Sequence, residues 1–141
     1  MKPLPPLLGA KAIISPGVPV IVECNAISGL YGVVFEDDGT TGYFYARDYS
    51  QKDLFVDALH IYNSLGVTDR HLLSELSIVW SRDGHKSLLL INERAHALFD
   101  FPEKLGYSRS EFPDAFAGSG WKRCKWDPAL KKYFGRDELS E

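Results

Sequence analysis

Residues 76–101 read LSIVWSRDGHKSLLLINERAHALFDF, and this stretch decides the fold. Asp83-Gly84 has the composition of a two-residue turn that matches strand twist, because Gly adopts positive φ freely and Asp tolerates it. Asn92-Glu93-Arg94 forms a second turn, so the stretch predicts three consecutive antiparallel strands. The turns fix the register. The predicted opposite pairs are Trp80–Ser87, Ile78–Leu89, Leu76–Ile91, Ile91–Ala95, Leu89–Ala97, Ser87–Phe99 and Lys86–Asp100.

Alternation of side chains along these strands separates two faces. One face is strongly apolar and is expected to be core; it carries Leu76, Ile78, Trp80, Leu89, Ile91, Ala95, Ala97, Phe99 and Phe101. The other face is mixed, with charges around an apolar centre of Val79, Leu88, Leu90 and Leu98. Such a centre needs a cover, from this chain or from a partner protein. Antiparallel sheets often keep one half-wet face, which favours a cover from the same chain.

Length and composition indicate a single folded domain. The chain has 141 residues, 45% hydrophobic and 13% aromatic, which suits a packed globule. The formal net charge of −3 lacks the basic excess of a general nucleic-acid binder. No apolar run approaches the roughly 18 residues of a membrane-spanning helix. Cys24 and Cys124 fit no metal-binding spacing, so reduced thiols in the cytoplasm are expected, with one disulfide as the alternative.

The remaining segments predict an α+β fold. Residues 1–17 are expected to form an extended arm, 18–135 a single domain and 136–141 a polar tail. Three further strand patterns cover 18–26, 30–36 and 43–47, and with the central three strands they give one antiparallel sheet of about six strands.

Two helices complete the predicted fold. Ser50 is a suitable N-cap, an apolar stripe at helical spacing follows, and Gly66 supplies a stop, so the main helix is predicted from Ser50 to Leu65 and packed on one face of the sheet. Asp127-Pro128 predicts the start of a short C-terminal helix that ends at Phe134.

Five residues are candidates for ligand or partner binding. Arg109 and Tyr107 lie in a segment rich in Gly, Ser and Pro, where a guanidinium can pair with a carboxylate. His96 is predicted on the mixed face beside Leu90, Trp121 adjoins a cluster of cations, and Arg70 lies in a polar loop. A structural role is the competing interpretation of Arg109 and Trp121.

The sequence favours neither metal nor cofactor chemistry. The acids at 36–38 do not have the spacing of a calcium loop. Asp57 with His60 lacks a second pair of ligands, which favours a solvated face of the predicted helix for both side chains. No phosphate-binding glycine loop or catalytic motif is present, and Ser77 or Ser81 near His96 would lie on a regular strand, which disfavours a hydrolase triad. We therefore predict no cofactor and no metal site.

Several segments together resemble a small bacterial protein family of unknown function. These segments are EDDGTTGYFYA, DALHIYN, VWSRDG, LLLIN, ALFDF and GYSRSEFP, followed by Trp121. The resemblance runs from about residue 20 to residue 126 and implies a bacterial, cytoplasmic, single-domain protein. It implies no activity, ligand or catalytic residue.

Two functional hypotheses follow. The first is a non-catalytic protein-binding module, for example an immunity or accessory protein for a bacterial effector, because an acidic domain with no catalytic motif offers an amphipathic sheet face. The second is a small-ligand-binding protein or enzyme whose site is formed by loops. A deep pocket with two or more ionisable groups would favour the second hypothesis, and a flat surface would favour the first.

Overall fold

A computed structural model describes residues 7–127, and this part of the chain is almost entirely β-structure. Its strands are β1 (Leu7–Ile14), β2 (Val20–Asn25), β3 (Tyr31–Asp37), β4 (Thr41–Asp48), β5 (Asp57–Asn63), β6 (Ser74–Trp80), β7 (Lys86–Ile91), β8 (Arg94–Asp100), β9 (Leu105–Ser108) and β10 (Lys122–Cys124). A single 3-10 turn, Ser64–Gly66, follows β5.

The strands form two sheets that pack face to face. Six strands lie in the order β1-β6-β7-β8-β9-β10, and four lie in the order β2-β3-β4-β5. Only the β9–β10 pair is parallel within this described part of the chain. The rings of Phe44 and Phe99, one from each sheet, stack with centroids 5.1 Å apart. The architecture is therefore a β-sandwich.

The core fills the space between the sheets with inward-facing side chains. It includes Val33, Phe35, Phe44 and Leu59 from the four-stranded sheet and Leu76, Ile78, Trp80, Leu89, Ala97, Phe99 and Phe101 from the six-stranded sheet. Each buried Leu, Ile or Phe contributes about 1.5–3 kcal/mol by leaving water. Packing between the sheets thus supplies the main stabilisation of the fold.

The predicted register of the central strands is confirmed over most of its length. The confirmed pairs are Trp80–Ser87, Ile78–Leu89, Leu76–Ile91, Leu89–Ala97, Ser87–Phe99 and Lys86–Asp100. The Ile91–Ala95 pair is wrong, because Ile91 lies opposite Arg94. Asn92 and Glu93 adopt φ values of 52° and 67°, so they alone make the turn, as a two-residue hairpin loop with positive φ at both positions does.

A β-bulge in β8 compensates for this shorter turn. Leu90 lies opposite Ala95 and Leu89 lies opposite Ala97, which leaves His96 as the extra residue. Ala95 therefore packs on the outer face of the sheet with Leu90, and its predicted place in the core is wrong. His96 is likewise not the partner of Leu90.

The α+β prediction is wrong, because residues 7–127 contain no α-helix. The segment from Ser50 to Leu65 begins with turns, continues as β5 and ends in the 3-10 turn. Leu59 and Ile61 of β5 face the core, while Ala58 pairs with Tyr45 of β4. The apolar residues of this segment have helical spacing, but pairing with the edge of β4 stabilises the strand more than that spacing stabilises a helix.

Two other predicted segments, one at each end of the chain, lie partly outside the residues that the structure describes. The predicted C-terminal helix, Asp127 to Phe134, lies outside the described residues except for Asp127 itself. Within the predicted N-terminal arm, residues 7–14 form β1 and pair with β6 at one edge of the larger sheet. The divisions at residues 18 and 135 stay predictions.

The apolar centre of the mixed face is buried within the isolated chain. Val79, Leu88, Leu90 and Leu98 are each at most 6% exposed. Tyr107 of β9 and Trp126 are the described side chains that pack against them. The chain itself thus covers this centre, which is the alternative that the sequence favoured.

A buried ion pair joins the sheets near β10. Arg123 Nη1 donates to Asp57 Oδ2 at 2.9 Å, and Arg123 Nη2 donates to Asp57 Oδ1 at 2.7 Å. The guanidinium also donates to the carbonyl oxygens of Pro113 and Ala58. A Cβ on Gly106 would collide with both partners in their present positions, so this glycine leaves room for the pair beside β9. The Asp57 prediction was wrong: it is not a solvated side chain on a helix.

A candidate ligand cleft between the sheets

A cleft of 460 Å³ opens at one end of the interface between the two sheets. One wall comes from Ile61 and Tyr62 of β5, and the loop of residues 67–69 adjoins it. The opposite wall comes from the ends of β7 and β8, including Ile91 and His96. Its volume lies within the roughly 300–1,000 Å³ of small-molecule sites, and its lining combines apolar and ionisable groups.

A hydrogen-bond network around Asp37 holds the β5 wall in place. The Tyr62 hydroxyl donates to Asp37 Oδ2 at 2.6 Å. The main-chain N–H groups of Gly17 and Gly39 donate to the same carboxylate, each at 2.8 Å. Asp37 is 1% exposed, and these three donors provide the hydrogen bonds that a buried carboxylate needs. The network ties the turn between β3 and β4 and the loop after β1 to the cleft wall.

The pKa of Tyr62 gives this network a measurable signature. Burial raises that pKa above its ordinary value near 10, and the hydrogen bond to Asp37 and the Asp37 charge raise it further. The stability gained by keeping Tyr62 protonated is fully present below about pH 10 and is lost as the pH rises above it.

We expect Tyr62→Phe to lower the free energy of unfolding by about 1 kcal/mol at pH 7, because one hydrogen bond to Asp37 is lost. Above about pH 10, the variant should lose stability less steeply than the wild type, because it has no phenol to ionise. Urea denaturation from pH 7 to 11 measures both effects. Equal alkaline slopes for the two proteins would contradict the assignment.

His96 enters the cleft from the β-bulge. Its Nδ1 lies 2.9 Å from the carbonyl oxygen of Arg94, and because a carbonyl only accepts, Nδ1 carries the proton. Burial lowers the pKa of His96, and the Arg109 and Arg94 charges lower it further, against the opposing effect of that hydrogen bond. The imidazole is therefore neutral at pH 7, and its Nε2 is a hydrogen-bond acceptor.

Two arginines line the cleft beside His96. Arg109 Nε donates to the carbonyl oxygen of Ala95 at 2.8 Å, and the Arg109 guanidinium lies 5.7 Å from the centre of the Trp126 ring. Arg94 begins β8 and is exposed. Burial lowers the pKa of Arg109, and the Arg94 charge lowers it further, so the two cations are close enough to repel. Arg109 was a candidate predicted from the sequence, and Arg94 was not.

The structure brings only two of the five candidate residues together. His96 and Arg109 share the cleft. Trp121 is 8% exposed and packs in the core, edge-on against Phe99 and Phe101. Tyr107 packs on the outer face of the six-stranded sheet. Arg70 is exposed, next to cleft-lining residues 67–69 but not lining the cleft itself. A role in binding stays a prediction for all five.

Three ionisable groups of this cleft were not predicted from the sequence: Arg94, Tyr62 and Asp69. Arg94 was placed in the turn, and the one-residue shift that brings it into β8 follows from positive φ at Glu93, which glutamate seldom adopts. Tyr62 was placed on a helix. A rule that treats Asn-containing turns as two-residue loops would have found Arg94.

Among the described residues, no carboxylate is bonded to the His96 imidazole and no cluster of metal ligands is present. Asp100 lies opposite Lys86 at the far end of β8, as predicted, and a main-chain carbonyl orients the His96 imidazole. Residues 7–127 contain no group of three or more His, Cys, Asp or Glu side chains that could hold a metal ion. The same range has no helix long and apolar enough to cross a membrane.

These features define a β-sandwich with a polar cleft at one end of its core. A family model described as "Uncharacterized protein conserved in bacteria (DUF2251)" matches residues 14–135, and the chain belongs to this family. The resemblance to a small bacterial family of unknown function is thereby confirmed. A relative from Haemophilus influenzae, described as an uncharacterized protein, is 44% identical over 94 residues. That match covers 66% of this chain and 58% of the relative, and no solved structure matches significantly.

Proposed function

We propose that this protein binds a small ligand in the cleft between its sheets, without catalysing its conversion. The observation that carries the proposal is the convergence of ionisable side chains on a cavity of 460 Å³. Tyr62, Asp69, Arg94, His96 and Arg109 all line it. Charged side chains usually lie apart on the solvated surface. Several ionisable side chains that converge on one concave site therefore support recognition of a polar ligand.

The surroundings of His96 fit binding without catalysis better than they fit a role for His96 as the general base of a hydrolase. A general base in a hydrolase is usually oriented by a carboxylate, which stabilises the imidazolium that forms. Here the Arg94 carbonyl orients the ring, and two cations disfavour the imidazolium. These groups suit an imidazole that accepts a hydrogen bond from a ligand.

We expect Thr68→Trp to abolish binding by filling the cleft, since Thr68 is an exposed loop residue on its lining. The experiment titrates a library of small polar fragments into the 15N-labelled full chain and maps the amide shifts. Fragments that bind should shift Asn92 and His96, and their affinity should fall at least about tenfold in the variant.

Leu65→Trp is the matched control, because Leu65 is 80% exposed and does not line the cleft. It should bind the fragments as the wild type does. Fragments that map elsewhere, or that keep their affinity in the Thr68 variant, would contradict the proposed site.

A protein-binding module is the second candidate function. The buried centre of the mixed sheet face no longer supports it, because Val79, Leu88, Leu90 and Leu98 are covered within this chain. What favours it is the exposure of Leu8 and Ile27, at 63% and 86%, beside a groove of 400 Å³ next to Trp80. Affinity capture from a bacterial lysate tests it: a partner retained by the wild type should be lost from Ile27→Glu. An immunity or accessory role would follow only from the identity of that partner.

We propose that the protein acts in the bacterial cytoplasm. The support is the state of the two cysteines, since Cys24 is a buried thiol and Cys124 is also free. Unpaired cysteines suit a reducing compartment. Localisation of the tagged full chain by cell fractionation tests this placement, and recovery in a periplasmic fraction would overturn it.

A further inference from the structure

The cleft holds two arginines whose charges are not neutralised by neighbouring carboxylates. Within residues 7–127, neither Arg94 nor Arg109 forms an ion pair. The Nε of Arg109 is committed to the Ala95 carbonyl, which fixes the guanidinium plane and leaves its terminal nitrogens for other partners. Two adjacent guanidinium groups repel each other, and an anion between them would relieve that repulsion.

The neutral imidazole adds a different kind of partner at the same place. With the Nδ1 proton donated to the Arg94 carbonyl, Nε2 of His96 presents a lone pair. No described residue donates to it. The cleft thus offers two cationic donors and one neutral acceptor.

From this combination we infer that the ligand is a small organic anion, a carboxylate or phosphate, that carries a hydroxyl or amide N–H close to its anionic group. Arg94 and Arg109 bind the anionic oxygens, and His96 Nε2 accepts the hydrogen bond of the neighbouring donor. Asp69 also lines the cleft, and its single carboxylate leaves the two arginines with an excess of positive charge there. The inference rests on the proposed function and specifies its ligand class.

Matched pairs of probes test the charge requirement on the 15N-labelled full chain. The first pair is 2-hydroxybutanoate and its primary amide, and the second is glycerol 3-phosphate and glycerol. Amide shifts of Asn92 and His96 give the dissociation constants. In at least one pair the anion should bind at least about tenfold more tightly than its neutral counterpart, as expected for a charge-assisted hydrogen bond.

Variants assign the effect to the cleft. Arg94→Gln should weaken binding of the anion at least about tenfold and leave the neutral probe unchanged, while Arg94→Lys should retain most of the affinity. Arg70→Gln is the control, because it removes a nearby exposed arginine that does not line the cleft. Thermal melts of all three variants exclude loss of the fold.

The outcomes separate this inference from the function on which it rests. If the acid and its neutral counterpart shift the cleft residues equally, or if the Gln variants at 94 and 70 behave alike, the anionic ligand class is overturned while ligand binding in the cleft stands. If no probe and no fragment shifts the cleft residues, the proposed function is overturned and the ligand class with it.

Discussion

Replacing Asp57 with Ala is expected to lower the free energy of unfolding by about 3–5 kcal/mol, because it leaves a buried guanidinium without its counter-charge. The Asp57 side chain is 0% exposed and that of Arg123 is 8% exposed, and two hydrogen bonds join them. Asp57 belongs to the smaller sheet and Arg123 to the larger one, so the loss acts on the contact between the sheets. Urea denaturation monitored by tryptophan fluorescence measures it.

A double variant distinguishes the loss of the ion pair from the cost of leaving the buried Arg123 charge without a partner. Asp57→Leu combined with Arg123→Met removes both charges and should recover a large part of the stability, since a buried pair is often replaceable by apolar side chains. Asp53→Ala is the control, because it removes an exposed acid four residues away. An Asp57→Ala protein as stable as the Asp53 variant would refute the bridging role of the pair.

The ion pair between Asp57 and Arg123 is a feature that could not be predicted from the sequence. The partners are 66 positions apart, and no local pattern links a strand acid to an arginine so distant along the chain. The spacing of Leu54, Ala58, Ile61 and Leu65 satisfied a helix, and that period placed Asp57 in solvent. The same residues also fit a strand with Leu59 and Ile61 facing inward. The strand forms because β5 pairs with the edge of β4, and this pairing is not visible in the local sequence.

The central strands could be predicted because their information is local. The turns predicted at Asp83-Gly84 and at residues 92–94, together with the alternation of large apolar residues, gave six correct pairs, because the bulge in β8 compensates for the shorter second turn. The cleft could be predicted only in part, because it depends on His96, the extra residue of the β-bulge, which has no partner opposite it in β7. The bulge at His96 moves this side chain from a sheet face to the opening between the sheets, beside Arg94 and Arg109. A shift of one residue reverses the face of a side chain, so the prediction failed where the register changed.

Leu88→Asp is expected to prevent folding, or to lower the free energy of unfolding by more than about 4 kcal/mol, because it buries a charge without a partner. Leu88 is 0% exposed at the centre of the mixed face, opposite Leu98 of β8. Trp80→Asp provides the reference for a disrupted core, since Trp80 is 3% exposed between the sheets. The two variants should melt similarly, both far below wild type, whereas Leu65→Asp at an exposed site should melt like wild type. A Leu88→Asp protein that melts like wild type would mean that this face is open in solution, and would return it to the surfaces available to a partner protein.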